Sequence, residues 1–362
     1  MSLYRATATL FLLIAIVFIL TVSKSYLIPF VLALLIWYVT KTIKSALRRN
    51  SFIRDRIPRW LQNTLVYLLI FSALGGLSML LSSNIQEFSK SIGVYEDNIL
   101  QINQIVLERF NVDLVKYLET FTEDFNIPGL IQGILNGLTS IIGDGFMIIL
   151  YTVFLLLEES ILRKKMQLIL NDPEQKELIG HLIKKIDHSF SQYLVLKTLV
   201  SFLTGFLSYM LLWALGVDSP GLWAILIFLF NFIPSIGSII ATAFPVLIAM
   251  LQSGEVMPGL WVLIGVGSIQ LLVGNVIEPR VMGNSLNISP LVVIISLILW
   301  GAIWGIVGMI LSVPITVMLI IILGQFESTR GLAILLSANG EIFRDLPADP
   351  DDPLSTPPPL HE

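Results

Sequence analysis

Residues that could bind a small molecule or an ion are concentrated in one stretch of an otherwise apolar chain. The set combines amides, hydroxyls, a carboxylate, prolines and glycines: Asn231, Pro234, Ser235, Gly237, Ser238, Gln270, Asn275 and Glu278. Proline and glycine interrupt helical hydrogen bonding, and the carbonyls and half-helix ends left free can bind cations or polar substrate groups. We therefore predict that these residues line the path of a substrate or an ion.

Glu278 is the carboxylate closest to the membrane interior of this region. A carboxylate in apolar surroundings can exchange a proton or a monovalent cation. The alternative is an interfacial pair with Arg280 that fixes the end of a helix. Lys197 lies about one turn inside an apolar run, where the usual behaviour of lysine is to extend its ammonium to the membrane surface.

The composition argues against several other kinds of chemistry. Cysteine is absent and the 3 histidines are not in metal-ligand spacing, so we expect no thiol catalysis, disulfide framework or metal site. The phosphate-binding loop G-x-x-x-x-G-K-[ST] and the zinc motif H-E-x-x-H are missing too. We expect no enzyme, no cofactor other than a transported or coupling H⁺ or Na⁺, and no nucleic-acid partner.

Two apolar segments that are broken in the middle must position the candidate residues. The first covers 222–251 and breaks at 231–238. The second covers 289–323 and breaks at a turn that contributes a second set of candidates: Trp300, Gly301, Trp304, Gly305, Gly308 and Pro314. Unpaired backbone groups in hydrocarbon cost several kcal/mol each, so such breaks persist where they are buried in protein or line a wet cavity. In transporters these places bind the cargo.

The remaining chain reads as a membrane protein. Of 362 residues, 55% are hydrophobic and 13% are charged, which is about half the charge of a soluble domain. Apolar runs long enough to cross a bilayer lie at 6–23, 26–43, 61–82, 140–157, 193–215 and 260–277. We predict an all-α polytopic membrane protein with about six full transmembrane helices, two broken or re-entrant helical hairpins and a helical extracytoplasmic extension.

The distribution of lysine and arginine predicts the orientation of the chain. Basic clusters at 41–59 and 163–185 follow the second and fourth apolar runs, so both loops and both termini are expected in the cytoplasm. The segment 222–251 then enters from outside and the next span also begins outside, which favours a re-entrant hairpin. For 289–323 the charges leave two alternatives, a re-entrant pair or two tilted full crossings.

Five regions follow from these patterns. They are a scaffold of three spans at 1–82, an extracytoplasmic amphipathic helical segment at 83–139, a fourth span with a cytoplasmic amphipathic helix at 140–190, a transport domain with both hairpins at 191–330, and a cytoplasmic tail at 331–362, disordered from about 345. A heptad pattern from Ile85 to Val106 fits either a helical hairpin that buries its own seam or a subunit contact. The amphipathic helix at 171–190 fits either the inner membrane surface or a solvated linker.

Long gapped motifs in the hairpin region resemble a known family. The first is Asn231-Phe-Ile-Pro234-Ser-Ile-Gly237 followed by Pro245. The second runs Asn275-x-x-Glu278-Pro279-x-x-x-Gly283-x-x-Leu286-x-x-x-Pro290, then Trp300-Gly301-x-x-Trp304-Gly305-x-x-Gly308-Met-x-Leu311-x-x-Pro314. Both resemble signatures of the bacterial autoinducer-2 exporter (AI-2E) family, and the overall layout matches from residue 1 to about 330.

This resemblance implies a secondary transporter of the bacterial inner membrane. Some members are linked to export of the quorum-sensing signal autoinducer-2, a small polar furanone-type molecule, and others to sodium or lithium exchange against protons. It also implies a homo-oligomer, with a pentamer as one form, and an elevator-like movement of the hairpin domain. An uncoupled channel or a structural membrane protein is the alternative from a different class.

Overall fold

The computed structural model describes residues 3–48, 143–169, 173–282 and 287–340, with shorter pieces between 58 and 108. Its helices are α1 (Leu3–Val22), α2 (Lys24–Arg48), α3 (Gly145–Ile169), α4 (Pro173–Ala214), α5 (Pro220–Phe230), α6 (Ile236–Ser253), α7 (Val256–Leu272), a π-helical turn (Val273–Ile277), α8 (Glu278–Met282), α9 (Pro290–Gln325) and α10 (Glu327–Leu336). No strand occurs within these ranges.

Five stretches of these helices are long and apolar enough to cross a membrane, judged by length and composition. They are Lys24–Lys44, Ser189–Ala214, Ile236–Ser253, Val256–Met282 and Pro290–Gln325. The predicted all-α polytopic membrane fold is therefore confirmed. Of the predicted span at 61–82 the structure describes the pieces 61–62, 64–72, 75–76 and 79–80, whereas almost all of the heptad pattern of the extracytoplasmic segment and the tail beyond 340 lie outside the described residues.

Helix α4 runs without a break from the predicted amphipathic stretch into the fifth predicted span. Its 42 residues combine the amphipathic stretch predicted before residue 190 with the apolar run that follows. At 1.5 Å per residue it is about 63 Å long, twice the hydrocarbon thickness of a bilayer. Its more polar half contacts α2, where Asp187 forms an ion pair with Lys41 and the rings of Phe190 and Tyr38 lie 4.5 Å apart. This half therefore packs against the N-terminal helices.

The first hairpin consists of α5 and α6. The rings of Trp223 and Phe244, at similar distances from the turn, stack 6.2 Å apart and show that the two helices run antiparallel. Their apolar faces form a buried core with α7 and the end of α4. At the open end, the side chain of Gln252 accepts a hydrogen bond from the Asp218 amide at 2.8 Å and donates one to the Gly216 carbonyl at 2.9 Å. These bonds fasten α6 to the loop that leads into α5.

The second hairpin lies within α9. Gly305, with φ 61° and ψ −140°, reverses the chain direction in the middle of Pro290–Gln325. A β-carbon built on Gly301 would lie 3.0 Å from the Met309 side chain, so the arms on either side of Gly305 lie against each other. A glycine is required at Gly305 because L side chains are strained at this backbone conformation.

Both hairpin turns close through the same kind of glycine contact. A β-carbon on Gly237 would overlap the carbonyl oxygen of Phe230, and one on Gly308 would overlap the carbonyl oxygen of Trp300. In each case the second arm approaches the end of the first arm so closely that only hydrogen fits. The two turns therefore share a local geometry, although no self-similarity between the two segments is evident in the sequence.

Candidate functional site

A cavity of about 360 Å³ opens beside the turn of the first hairpin. Residues from α4, the turn of the first hairpin, the start of α6, α7, the π-helical turn, α8 and both arms of α9 line it: Tyr193, Lys197, Asn231, Ile233, Pro234, Ser235, Ser238, Gln270, Leu271, Gly274, Asn275, Glu278, Met282, Val293 and Val313. The predicted path residues thus converge on one cavity, with the exception of Gly237. That glycine is buried behind the turn, where it contacts Phe230.

The turn of the first hairpin is strained at Ser235. This residue has φ 60° and ψ −54°, and the amide of Ile236 donates a 2.6 Å hydrogen bond to the carbonyl of Pro234. Together these define a γ-turn with positive φ, a rare and strained arrangement. Strained backbone persists where the surroundings enforce it, commonly at functional sites. Here the strained turn places Ser235 at the cavity.

A π-helical turn brings Gln270 and Asn275 to the same cavity. Gln270 and Asn275 are five residues apart, and in a regular helix such residues differ in direction by about 140°, so their side chains would lie on different faces. The amide of Glu278 instead bonds to the Val273 carbonyl, five residues earlier, which adds one residue to the turn. Pro279 has no amide hydrogen, so the carbonyl one turn earlier, at Gly274 or Asn275, lacks its backbone donor.

Glu278 forms an ion pair with Lys197 from α4. The prediction that Lys197 extends to the membrane surface is wrong, because its side chain is 7% exposed and faces the cavity. The alternative pairing of Glu278 with Arg280 is also wrong. Arg280 is exposed on α8 and does not line the cavity. Lys197 and Glu278 are 81 residues apart in sequence, so no local pattern predicts their contact.

Two amide side chains extend the polar lining. Asn231 donates a 3.0 Å hydrogen bond to the buried hydroxyl of Ser201 on α4, which fixes the start of the turn. Gln270 is 9% exposed, and its Nε2 has no hydrogen-bond partner among the described residues. A buried donor without a partner costs about 1–3 kcal/mol, a cost that a bound ligand with an acceptor oxygen would remove.

The second set of predicted site residues lies elsewhere. Trp300 and Trp304 pack with Leu311 against α1 and α2, and Trp304 Nε1 donates a 3.1 Å hydrogen bond to the Leu20 carbonyl. Gly301, Gly305 and Gly308 form the turn itself, and Pro314 lies beside Tyr193 next to the cavity. The second hairpin reaches the cavity through Val293 and Val313 instead. A role for these six residues in transport stays a prediction.

Sequence reasoning missed several lining residues. Lys197 and Tyr193 come from α4, and their four-residue spacing on one helical face was the available signal. Gly274 lines the cavity and has backbone atoms only, and it lies one turn before Pro279. The apolar residues Val293, Val313 and Met282 carry no signal in a chain this hydrophobic.

The arrangement is suited to reversible binding of a polar ligand. Uncharged amides, hydroxyls and carbonyls surround a single ion pair, and the described residues contain no group of three or more histidine, aspartate or glutamate side chains that could hold a metal. Such a site offers hydrogen bonds and one exchangeable charge. Long apolar helices around a polar cavity define a multi-pass membrane protein of the transport type.

Comparison with known proteins agrees with this class. The AI-2E family transporter description matches residues 10–328. A protein of Haemophilus influenzae, named as a transport protein, is 34% identical over 87% of this chain and 90% of its own length. The AI-2 transport protein TqsA of Escherichia coli is 34% identical over 87% of this chain and 90% of its own length. The chain belongs to the AI-2E family of transporters, as its motifs predict.

Proposed function

We propose that this protein is a secondary transporter that exports a small polar molecule similar to autoinducer-2 across the bacterial inner membrane. The observation that carries the proposal is the polar cavity of about 360 Å³ beside the broken hairpin. This volume lies at the lower end of the range of about 300–1,000 Å³ for small-molecule sites. The choice of cargo is supported by a relative in Escherichia coli that is named for AI-2 transport.

The short first arm supports a site near the middle of the membrane. Helix α5 has 11 residues and covers about 17 Å, roughly half of the 30 Å hydrocarbon core. If Ser219 lies at the outer membrane surface and the first hairpin is re-entrant, an arm of this length places the hairpin turn near the middle of the membrane.

We propose that the second hairpin enters from the cytoplasmic side. The domain 191–330 then moves against the scaffold 1–82 in an elevator-like way, within a homo-oligomer.

An ion gradient drives the export in this proposal. Glu278 is the carboxylate in the cavity, and it can release its present partner and take up a proton or a monovalent cation. The carbonyl freed by Pro279 and the side-chain oxygen of Asn275 supply further ligands of the kind that hard cations prefer. These oxygens also favour the second candidate, a sodium or lithium/proton antiporter that uses the same cavity without an organic cargo.

The test uses purified protein in liposomes, with autoinducer-2 efflux and sodium-dependent proton flux measured side by side. We expect the native protein to export autoinducer-2 and Glu278→Gln to lower the rate about tenfold or more, which is a loss of at least about 1.4 kcal/mol in the rate-limiting step. Glu255→Gln is the matched control, since Glu255 is exposed at the start of α7. Its flux should be unchanged.

Other combinations of the two fluxes would favour a different function or mechanism. Cation exchange without autoinducer-2 efflux would replace the exporter by the antiporter. Coupled flux that persists in Glu278→Gln would remove Glu278 from the coupling mechanism. Absence of both fluxes would favour an uncoupled channel or a structural membrane protein.

A further inference from the structure

The ion pair in the cavity balances the charge of the whole site. Among the described residues that line the cavity, Lys197 and Glu278 are the formally charged ones, and Tyr193 contributes a neutral phenol. The side chain of Lys197 is 7% exposed and that of Glu278 is 22% exposed, so water screens the pair only partly. The lining therefore has no net charge while the pair is intact.

Removing either partner would leave an unbalanced charge in an apolar domain. The effective cost of such a buried charge is several kcal/mol, even after relaxation and water entry. The packing around α4, α8 and α9 offers no second acid to replace Glu278 among the described lining residues. Lys197 thus occupies the position that a free cation would take next to the carboxylate.

We propose that Lys197 is a built-in counter-ion that competes with monovalent cations for Glu278 and thereby sets the cation affinity of the cavity. This inference rests on the proposed function, because it assigns a regulator to the same site. Glu278 carries one negative charge and pairs with one positive charge at a time. A cation that binds Glu278 must displace the ammonium, which then loses its partner, so binding is weak while Lys197 is present.

The ligand class follows from the donors around Glu278. The carboxylate, the Asn275 side-chain oxygen and a carbonyl freed by Pro279 are hard oxygen ligands. A single carboxylate matches the charge of a monovalent ion. Sodium is therefore the probe for this site, with choline as the reference cation because its bulk and apolar surface prevent coordination by these oxygens.

The experiment measures thermal unfolding of the full chain in detergent as sodium chloride replaces choline chloride at constant ionic strength. A ligand at free concentration L that binds the folded protein stabilises it by RT ln(1 + L/Kd), so the rise in unfolding temperature with sodium concentration yields the dissociation constant, which is the half-saturating concentration. We expect Lys197→Gln to lower the half-saturating sodium concentration at least about tenfold, the equivalent of about 1.4 kcal/mol. The double variant Lys197→Gln/Glu278→Gln should show no sodium response.

Two further variants protect the test against misfolding and general charge effects. Lys197→Arg keeps a permanent positive charge that can pair with a carboxylate through two hydrogen bonds, so its half-saturating sodium concentration should equal or exceed that of the native protein. Lys165→Gln removes a lysine from the exposed pair with Glu158 and should leave the sodium response unchanged.

Several results would overturn the inference. They are an unchanged or higher half-saturating concentration in Lys197→Gln, a lower one in Lys197→Arg, a response that persists in the double variant, or no response in any variant. Autoinducer-2 efflux, measured after the same preparations are reconstituted into liposomes, separates the two proposals. If Lys197→Gln lowers the half-saturating sodium concentration but no efflux occurs, Lys197 is a counter-ion and autoinducer-2 is not the cargo. If efflux occurs but the half-saturating sodium concentration is unchanged in Lys197→Gln, autoinducer-2 is the cargo and Lys197 is not a competing counter-ion.

Discussion

At the scale of single residues, the backbone at Ser235 and the ion pair of Glu278 define the cavity more than any side-chain type does. Ser235 has a positive φ, which for a residue other than glycine costs about 1–3 kcal/mol. Glu278 is neutralised by a lysine from a distant helix. The chemistry of the site therefore depends on conformations that tertiary packing enforces.

The strain at Ser235 leads to a prediction about stability. Ser235→Gly should raise the free energy of unfolding by about 1 kcal/mol, because glycine adopts positive φ without a steric penalty. Ser235→Ala is the matched control, since it removes the hydroxyl and keeps the strain, and its stability should stay close to that of the native protein. Thermal unfolding in detergent measures both. Equal stability of the two variants would show that the turn is not strained.

The residue types of the site were predictable, and their contacts were not. Amides, serines and a carboxylate in an apolar chain stand out by composition, and all of those predicted for the first hairpin and α7 line the cavity. The partner of Glu278 was not accessible to local reasoning, since Lys197 fits the ordinary pattern of a lysine near a helix end. Strain at a serine is also invisible in a sequence, because serine does not signal positive φ as glycine does.

At the scale of elements, the two hairpins share a closing contact and differ in their surroundings. Gly237 lies against the carbonyl of Phe230, and Gly308 lies against the carbonyl of Trp300, each on the preceding arm. The first turn borders the cavity, whereas the second turn is tied to α1 through Trp304. The two turns are therefore closed in the same way, although the cavity adjoins the first turn and α1 adjoins the second.

These closing contacts lead to a prediction for alanine variants. Gly237→Ala and Gly308→Ala should each destabilise the protein by about 1–3 kcal/mol or more, because an added methyl group overlaps backbone atoms that cannot move aside cheaply. Gly267→Ala on α7 is the control, since nothing lies within 4 Å of its added carbon. It should be neutral or slightly stabilising, as alanine favours helix. Unfolding temperature and monodispersity in detergent distinguish these outcomes.

Element boundaries were predicted where apolar runs end at glycine, proline or charge. The first break was predicted at 231–238, and α5 ends at Phe230 while α6 begins at Ile236. The second arm of that hairpin is longer than predicted, with 18 residues, because the γ-turn at Ser235 lets the helix restart at once. The π-helical turn and α10 were not predicted. A π-helical turn carries no periodicity of its own within five residues, and α10 is short and mixed in polarity.

At the scale of the whole molecule, an ion pair connects α2 to the first half of α4, and a hydrogen bond connects α1 to the second hairpin. Lys41 on α2 pairs with Asp187 on α4, and its ammonium lies 5.5 Å from the centre of the Trp37 ring. Trp304 in the second hairpin bonds to Leu20 on α1. An elevator-like movement of the hairpin region would have to release or carry these contacts.

The absence of cysteine makes the proposed orientation directly testable. Single cysteines can be introduced at exposed acids on opposite sides, at Glu255 before α7 and at Glu158 on α3. A membrane-impermeant maleimide should label Glu255→Cys in cells whose inner membrane is exposed and sealed, and Glu158→Cys only after that membrane is opened. The unaltered chain is the control, because it should not react. Labelling with the opposite pattern would invert the orientation derived from the basic loops.

The added residue in the π-helical turn has a consequence for how the gene can change. In a regular helix each residue turns the chain by about 100°, so one inserted residue would rotate everything that follows by that amount. Because the π-helical turn absorbs the added residue, loss of a single codon within 273–277 would let the segment close as a regular helix and leave Glu278 directed at the cavity. Loss of a second codon would have no added residue to remove and would turn Glu278 away by about 100°. The direction in which the helix presents its chemistry thus depends on the length of the segment, and a comparison by residue type alone would overlook the change.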